Sequence, residues 1–272
     1  ATNSGGALFA YCHDSEKGSL LANDYGKYAF RLDQCNFTRC KSTVEGGAIS
    51  SGLNVFGIKS GDNDFGITNC HFEECESGRG GALYFQDGTT EGDEETQLTR
   101  CYFTNCYATS GQGYAVLCRS YKFSMSACEF RDHNHGANDA THSIAYIETN
   151  EPEVAPILNH CVFENNNGVS SLTLNVSNSV QIIGFIFKNY NLKGEDCAIV
   201  NLDTWKVAGT ATFEGCKFQN INNAMCISTM MNGVNSNVHD CEFTNITKGF
   251  SWSTQYCGSC IFSMSSNINI VV

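Results

Sequence analysis

The densest group of residues able to do chemistry runs from Arg131 to His142, where His133, His135 and His142 stand with Asp132 and Asp139 within twelve residues. Imidazoles exchange protons near neutral pH and ligate transition metals. With His133 and His135 on one face and His142 folded over them, this stretch would form a metal or acid–base site; its plainer reading is a polar loop. Asp62 and Asp64 are the candidate calcium ligands, because calcium takes carboxylate oxygens. A second acidic run comprises Asp87, Glu91, Asp93, Glu94 and Glu95. Glycoside hydrolysis needs two carboxylates about 5 to 9 Å apart on one face, and lyase chemistry needs a calcium cage beside a base. Both acidic runs fall where the chain varies in length, which is how solvated loops read, so no catalytic residue and no cofactor is assigned.

Sixteen cysteines point to an oxidising compartment unless their spacing reads as a metal site. It does not. Cys35 and Cys40, Cys70 and Cys75, and Cys101 and Cys106 are each five apart, and Cys257 with Cys260 is the single Cys-x-x-Cys, without the second pair a zinc ribbon requires.

The elements that would hold these residues come from a repeat. It reads Cys35-Asn-Phe37, Cys70-His-Phe72, Cys101-Tyr-Phe103, Cys128-Glu-Phe130, Cys161-Val-Phe163, Phe185-Ile-Phe187, Cys216-Lys-Phe218 and Cys241-Glu-Phe243. The phenylalanines are separated by 35, 31, 27, 33, 24, 31 and 25 residues, so one strand and turn are fixed while the connections vary. A second block recurs as Gly5-Gly-Ala-Leu8, Gly46-Gly-Ala-Ile49, Gly80-Gly-Ala-Leu83 and Gly113-Tyr-Ala-Val116, and drifts thereafter through Ser143-Ile-Ala-Tyr146 to Asp196-Cys-Ala-Ile199. Each coil thus offers at least two strands too short to be helices. The fold expected is all-β, a single-stranded right-handed parallel β-helix of about eight to nine coils, forming one domain over residues 1–272.

Cys and Phe at i and i+2 share one side of a strand, and eight stacked phenylalanines cannot all face water, so a Phe column beside a Cys column is the expected core. Two positions after Phe come Asn105, Asp132, Asn165, Asn189, Asn220 and Asn245, with Arg39 and Glu74 in the first two coils. Asn tolerates left-handed backbone angles, so a stacked Asn turn is expected there. His133 takes the place that Cys holds in the first three coils and should face the turn or core. Equivalent cysteines of adjacent coils lie at strand spacing, within disulfide reach. Cys226 with Cys260, Cys35 with Cys70, and Cys40 with Cys75 are the candidate pairs, the alternative being small apolar thiols packed in a column.

This combination of Cys-x-Phe-x-x-Cys (or Asn) with a downstream Gly-Gly-Ala-Ile resembles the repeats of the chlamydial polymorphic membrane proteins, and similar repeats in surface proteins of parabasalid protists. The resemblance covers nearly the whole chain. It implies a pectate-lyase-like β-helix, exposure at the cell surface, and adhesive or antigenic roles.

The remaining features narrow the function. A net charge of −12 without any Lys/Arg run argues against nucleic acid as a partner. No stretch reaches the roughly 18 apolar residues of a transmembrane segment, and residues 1–6 lack the features of a signal peptide. The sequons at Asn36, Asn175 and Asn245 would carry glycans in a eukaryotic secretory pathway. The repeat is cut at both ends without an obvious cap, so a fragment of a longer chain or an end-to-end stacking subunit is expected. These readings converge on an extracellular or cell-surface structural or adhesive protein. Its expected partners are sister subunits or a host or matrix protein or glycan, and the rival is a carbohydrate-active enzyme.

Overall fold

The computed structural model describes residues 4–11, 31–52, 57–59, 66–86, 94–110, 112–120, 123–134, 142–149, 156–176, 179–192, 198–202, 209–229, 234–247, 260–263 and 268–271. The architecture is the all-β parallel β-helix expected from the repeat. A first sheet stacks nine strands in chain order, from Leu8–Tyr11 and Ile49–Gly52 to Met225–Thr229 and Ile261–Ser263. A second runs from Arg31–Asp33 and Gly66–Thr68 to Val234–His239 and Ile268–Val271, with Gly57–Lys59 added antiparallel beside Glu94–Thr99. A third stacks eight, from Asn36–Thr38 to Glu242–Thr247. Each coil therefore visits the first, second and third sheets in turn, and the strands of these three sheets, Gly57–Lys59 excepted, pair in parallel with those of adjacent coils.

Two sharp corners recur at a constant separation. The residue before the Cys of Cys-x-Phe has positive φ in every coil, from Gln34, Asn69 and Arg100 to Gly215 and Asp240, and so does the residue two after Phe, from Arg39 to Asn245. The two positions are always five residues apart. Between them lies the third-sheet strand whose middle residue is the Phe. The left-handed region costs an L-residue about 1 kcal/mol or more. The coils meet this cost by stacking, because each corner N–H is spent on the carbonyl of the next coil: Asn69 on Thr99 O, Arg100 on Ser126 O, Ala127 on Asn159 O.

The core is the set of inward columns. Phe72, Phe103, Phe130, Phe163, Phe187 and Phe218 are buried, Phe37 and Phe243 half-buried, and all eight pair in register. Successive ring centroids lie 4.4–5.4 Å apart with interplanar angles of 3–21°. Strand spacing, about 4.8 Å, imposes this near-parallel stacking where free rings prefer offset or edge-on contact. Aliphatic columns face it: Ile49, Leu83, Val116, Ala145 and Leu172 from the first sheet, and Ile67, Leu98, Met125, Leu158 and Ile182 from the second.

The drift of the Gly-Gly-Ala block has a structural cause. In the early coils the third-sheet strand has three residues and is followed by a short fourth face, where Glu76–Ser77 pairs with Tyr107–Ala108. That face presses on the second glycine: a Cβ on Gly81 would lie 2.0 Å from Tyr114 O and 2.5 Å from Tyr107 O. The first glycine, Gly80, has φ +60°, so only glycine fits both positions. From Ile186–Asn191 onward the third-sheet strands lengthen to six residues. By then Tyr114 and Ile144 have replaced the second glycine and lie buried in its place.

Candidate functional site

Three sets of residues carry chemistry: the two thiol columns, a polar network that continues one of them, and the outer flank of the third sheet.

The first column contains Cys35, Cys70, Cys101, Cys128 and Cys161, then Phe185, then Cys216 and Cys241. Their main chains lock directly together, His71 N donating to Cys35 O at 2.9 Å and Tyr102 N to Cys70 O at 2.9 Å. Each thiol spans its corner by donating to the carbonyl two residues back, as Cys70 to Thr68 O at 3.1 Å and Cys161 to Asn159 O at 3.4 Å. Cys40, Cys75 and Cys106 form the second column and repeat this device at the next corner, with Cys75 on Glu73 O and Cys106 on Thr104 O, both at 3.6 Å. The candidate pairs Cys35/Cys70, Cys40/Cys75 and Cys226/Cys260 are therefore neighbours in adjacent coils, and Cys35, Cys40, Cys70, Cys75 and Cys226 are thiols in this structure. Burial pushes the Cys70 thiol up to about 12 and raises Cys106, Cys128 and Cys226 as well. Buried, protonated thiols are poor nucleophiles and poor metal ligands.

The second column changes character in mid-molecule. Three residues after Phe, Cys106 gives way to His133, then Asn166, then Tyr190, all buried. Asn166 Nδ2 donates to Phe130 O at 3.1 Å and to Tyr190 Oη at 2.9 Å, which turns its Oδ1 toward His133. That oxygen accepts the His133 backbone N–H at 2.8 Å and faces His133 Nδ1 at 3.1 Å, so the imidazole carries its proton on Nδ1. Ser171 Oγ donates to Tyr190 Oη, and burial raises the Tyr190 phenol. His133 is thus a core residue, as its place in the repeat indicated. His142 lies elsewhere, its Nδ1 3.3 Å from Tyr114 Oη, and His135 is outside the described residues, as are Asp62 and Asp64. Among the described residues no three or more His, Cys, Asp or Glu side chains converge to hold a metal ion.

The outward side of the third sheet is a charge-paired surface. Glu164 lies between Arg131 at 2.9 Å and Lys188 at 3.0 Å, and Arg131 also meets Glu129 at 2.8 Å. Lys217 pairs with Glu242 at 3.3 Å, and the His71 and Tyr102 rings stack at 4.5 Å. These contacts follow from register: residues 24 to 33 apart in sequence become cross-strand neighbours, and opposite charges there attract.

Beside this flank run two rows of asparagine. In the first, Asn189 Nδ2 donates to Asn165 Oδ1, Asn220 to Asn189 and Asn245 to Asn220, each at 3.0 Å. In the second, two residues further on, Asn167 N donates to Asn134 Oδ1 and Asn191 N to Asn167 Oδ1, both at 2.9 Å. The first row is the Asn turn anticipated from the repeat. The second row, the ion lattice and the buried Asn166 network were not anticipated. The signal for the network was present in the third residue after Phe, which reads Cys, Cys, Cys, His, Asn, Tyr down the chain. Of the sequons, Asn36 and Asn245 are exposed, while Asn175 is half-buried on the first sheet.

No helix of the described residues is long and apolar enough to cross a membrane. No family model, no curated protein and no solved structure matches the chain.

Proposed function

We propose that this protein is an extracellular structural or adhesive scaffold of the cell surface, whose long flanks are its working part and whose coils can stack on those of sister copies. The observation that carries the reading is the flank of the third sheet. Eight parallel strands in register set out a surface of paired charges and amides, while most of the thiols are turned inward and buried. Such a surface suits broad contact better than turnover. The likeness of its repeats to those of chlamydial polymorphic membrane proteins and parabasalid surface proteins supports the same reading. The sequons at Asn36 and Asn245 fit it too, since both lie on exposed positions.

The test is adhesion. Protein-coated beads should bind epithelial cells or immobilised matrix proteins above beads coated with a denatured control, and electron microscopy of the purified protein should show rods joined end to end. Release of reducing sugars or unsaturated products from a pectin and glycan panel would replace this reading with the carbohydrate-active enzyme. Isolated short rods would remove the stacking component.

A further inference from the structure

We propose that the two asparagine rows are a binding track for an extended, uncharged polysaccharide of β-linked, equatorially substituted sugars lying along the helix axis. The proposal rests on the adhesive reading above and names the ligand.

Three properties of the track define what fits it. Its repeat along the axis is the strand spacing, about 4.8 Å, and its rows are two strand residues apart, roughly 6–7 Å. A ribbon-like sugar chain has a comparable repeat and carries hydroxyls on both edges, so each edge would lie over one row. The rows offer matched valences. Every carboxamide has two N–H donors and two acceptor lone pairs, and the first row spends one N–H and one lone pair on its neighbours in the ladder. The remaining donor and acceptor of each exposed Asn189 and Asn220 suit a hydroxyl, which also gives one and takes one. In the second row the Oδ1 atoms of Asn134 and Asn167 hold the next coil's N–H, leaving Nδ2 for the ligand.

The track is also uncharged along its length. Adjacent charges are neutralised within the sheet, Glu164 by Arg131 and Lys188, so a polyanion gains little attraction and a neutral polymer loses nothing. The ladder is pre-ordered as well. Its amides are already held by one another, and a ligand would not bear the entropy of fixing them. In the earlier coils Arg39 and Glu74, paired at 2.7 Å, and then Asp132 stand where the amides would be, so the first row of the track begins at Asn165.

The experiment uses the full chain, with isothermal calorimetry against soluble cello-, xylo- and chito-hexaose, and with heparin and hyaluronan as charged comparators. The double variant Asn189→Gly/Asn220→Gly keeps the positive-φ corners and removes the amides. Arg39→Gly/Glu74→Gly makes the same backbone change at the same corner outside the track, and circular dichroism melts check that both fold. The expected result is binding of at least one neutral hexasaccharide that changes little with added salt, weakens tenfold or more in the asparagine variant, and stays within twofold in the control. The proposal is overturned if no neutral hexasaccharide binds, if only the polyanions bind, or if the asparagine variant binds as tightly as the parent. The bead-adhesion assay is run in parallel. Adhesion without oligosaccharide binding sinks the track alone, and absence of both sinks the adhesive reading with it.

Discussion

Phe130 is the position where cutting the aromatic column should be most costly. Its ring is fully buried and lies 4.8 Å from Phe103 and 4.4 Å from Phe163, at interplanar angles of 5° and 9°. Truncating a buried Phe to Ala generally costs about 3–5 kcal/mol, and each lost aromatic contact accounts for about 0.5–1.5 kcal/mol of interaction beyond area. The site cannot collapse, because the backbone on either side is fixed by ladders to Phe103 and Phe163. Phe130→Ala should therefore fall near the top of that range. Phe37→Ala should cost about half as much, since Phe37 is half-buried and stacks on Phe72. The assay is equilibrium unfolding in urea, followed by far-ultraviolet circular dichroism and by tryptophan fluorescence. Both tryptophans, Trp205 and Trp252, follow Phe130 in the chain. A solenoid's stability is close to a sum of coil and interface terms, so a weakened central interface should also separate the two transitions, which are expected to coincide in the parent. A loss below ~2 kcal/mol, or one equal to that of Phe37→Ala, would refute the account of the column as a continuous stack.

Gly81→Ala should prevent folding of the early coils, read as loss of soluble protein or a melt lowered by more than 10 °C, because its Cβ would meet Tyr114 O at 2.0 Å. The same change at Gly215, where a Cβ meets nothing within 4 Å and only the positive φ is strained, should cost roughly 1 kcal/mol. Alkaline pH should destabilise the protein. With the Cys70 thiol held up at about 12 when folded, its contribution is complete below the ordinary thiol range and is lost as pH rises toward the folded value. The fall is about 1.4 kcal/mol per pH unit for each such thiol, and Cys70→Ala should reduce the slope of stability against pH. At the acid end, hydrogen bonds from Asn69 and Thr68 hold the Asp33 carboxyl below the usual range. Its contribution is present above the unfolded value and lost as pH falls through the folded one, and Asp33→Asn should flatten that limb of the curve. Asn166→Leu should cost about 3 kcal/mol or more in urea unfolding, since it strips partners from buried His133 and Tyr190 at once.

Most of the fold was legible because a parallel solenoid writes its register into the sequence. Cys70-His-Phe72 and Cys101-Tyr-Phe103 are spaced 31 apart yet pair residue for residue, and the Asn two places on marks a left-handed corner. What stayed hidden depended on contacts between coils. The loss of the second glycine after Gly81 read as drift, whereas it follows the disappearance of the short face that presses on that position. His133 looked like part of a histidine cluster because His135 and His142 are near it in sequence. Its partner is Asn166, 33 residues away. Glu164 was one acid among many until two strands placed Arg131 and Lys188 on either side of it.

The invariant five-residue interval between the two corners also constrains how such a chain can evolve. Connections between the first and second sheets range from the 2 residues between Ser120 and Phe123 to the 19 between Tyr11 and Arg31. In-frame insertions and deletions are therefore neutral at that seam. A single codon gained or lost between the corners, by contrast, would turn Phe outward and Cys into the next bend in that coil. Length variation among descendants of this gene should accumulate in the connections outside that interval, while the third-sheet flank keeps its surface coil after coil.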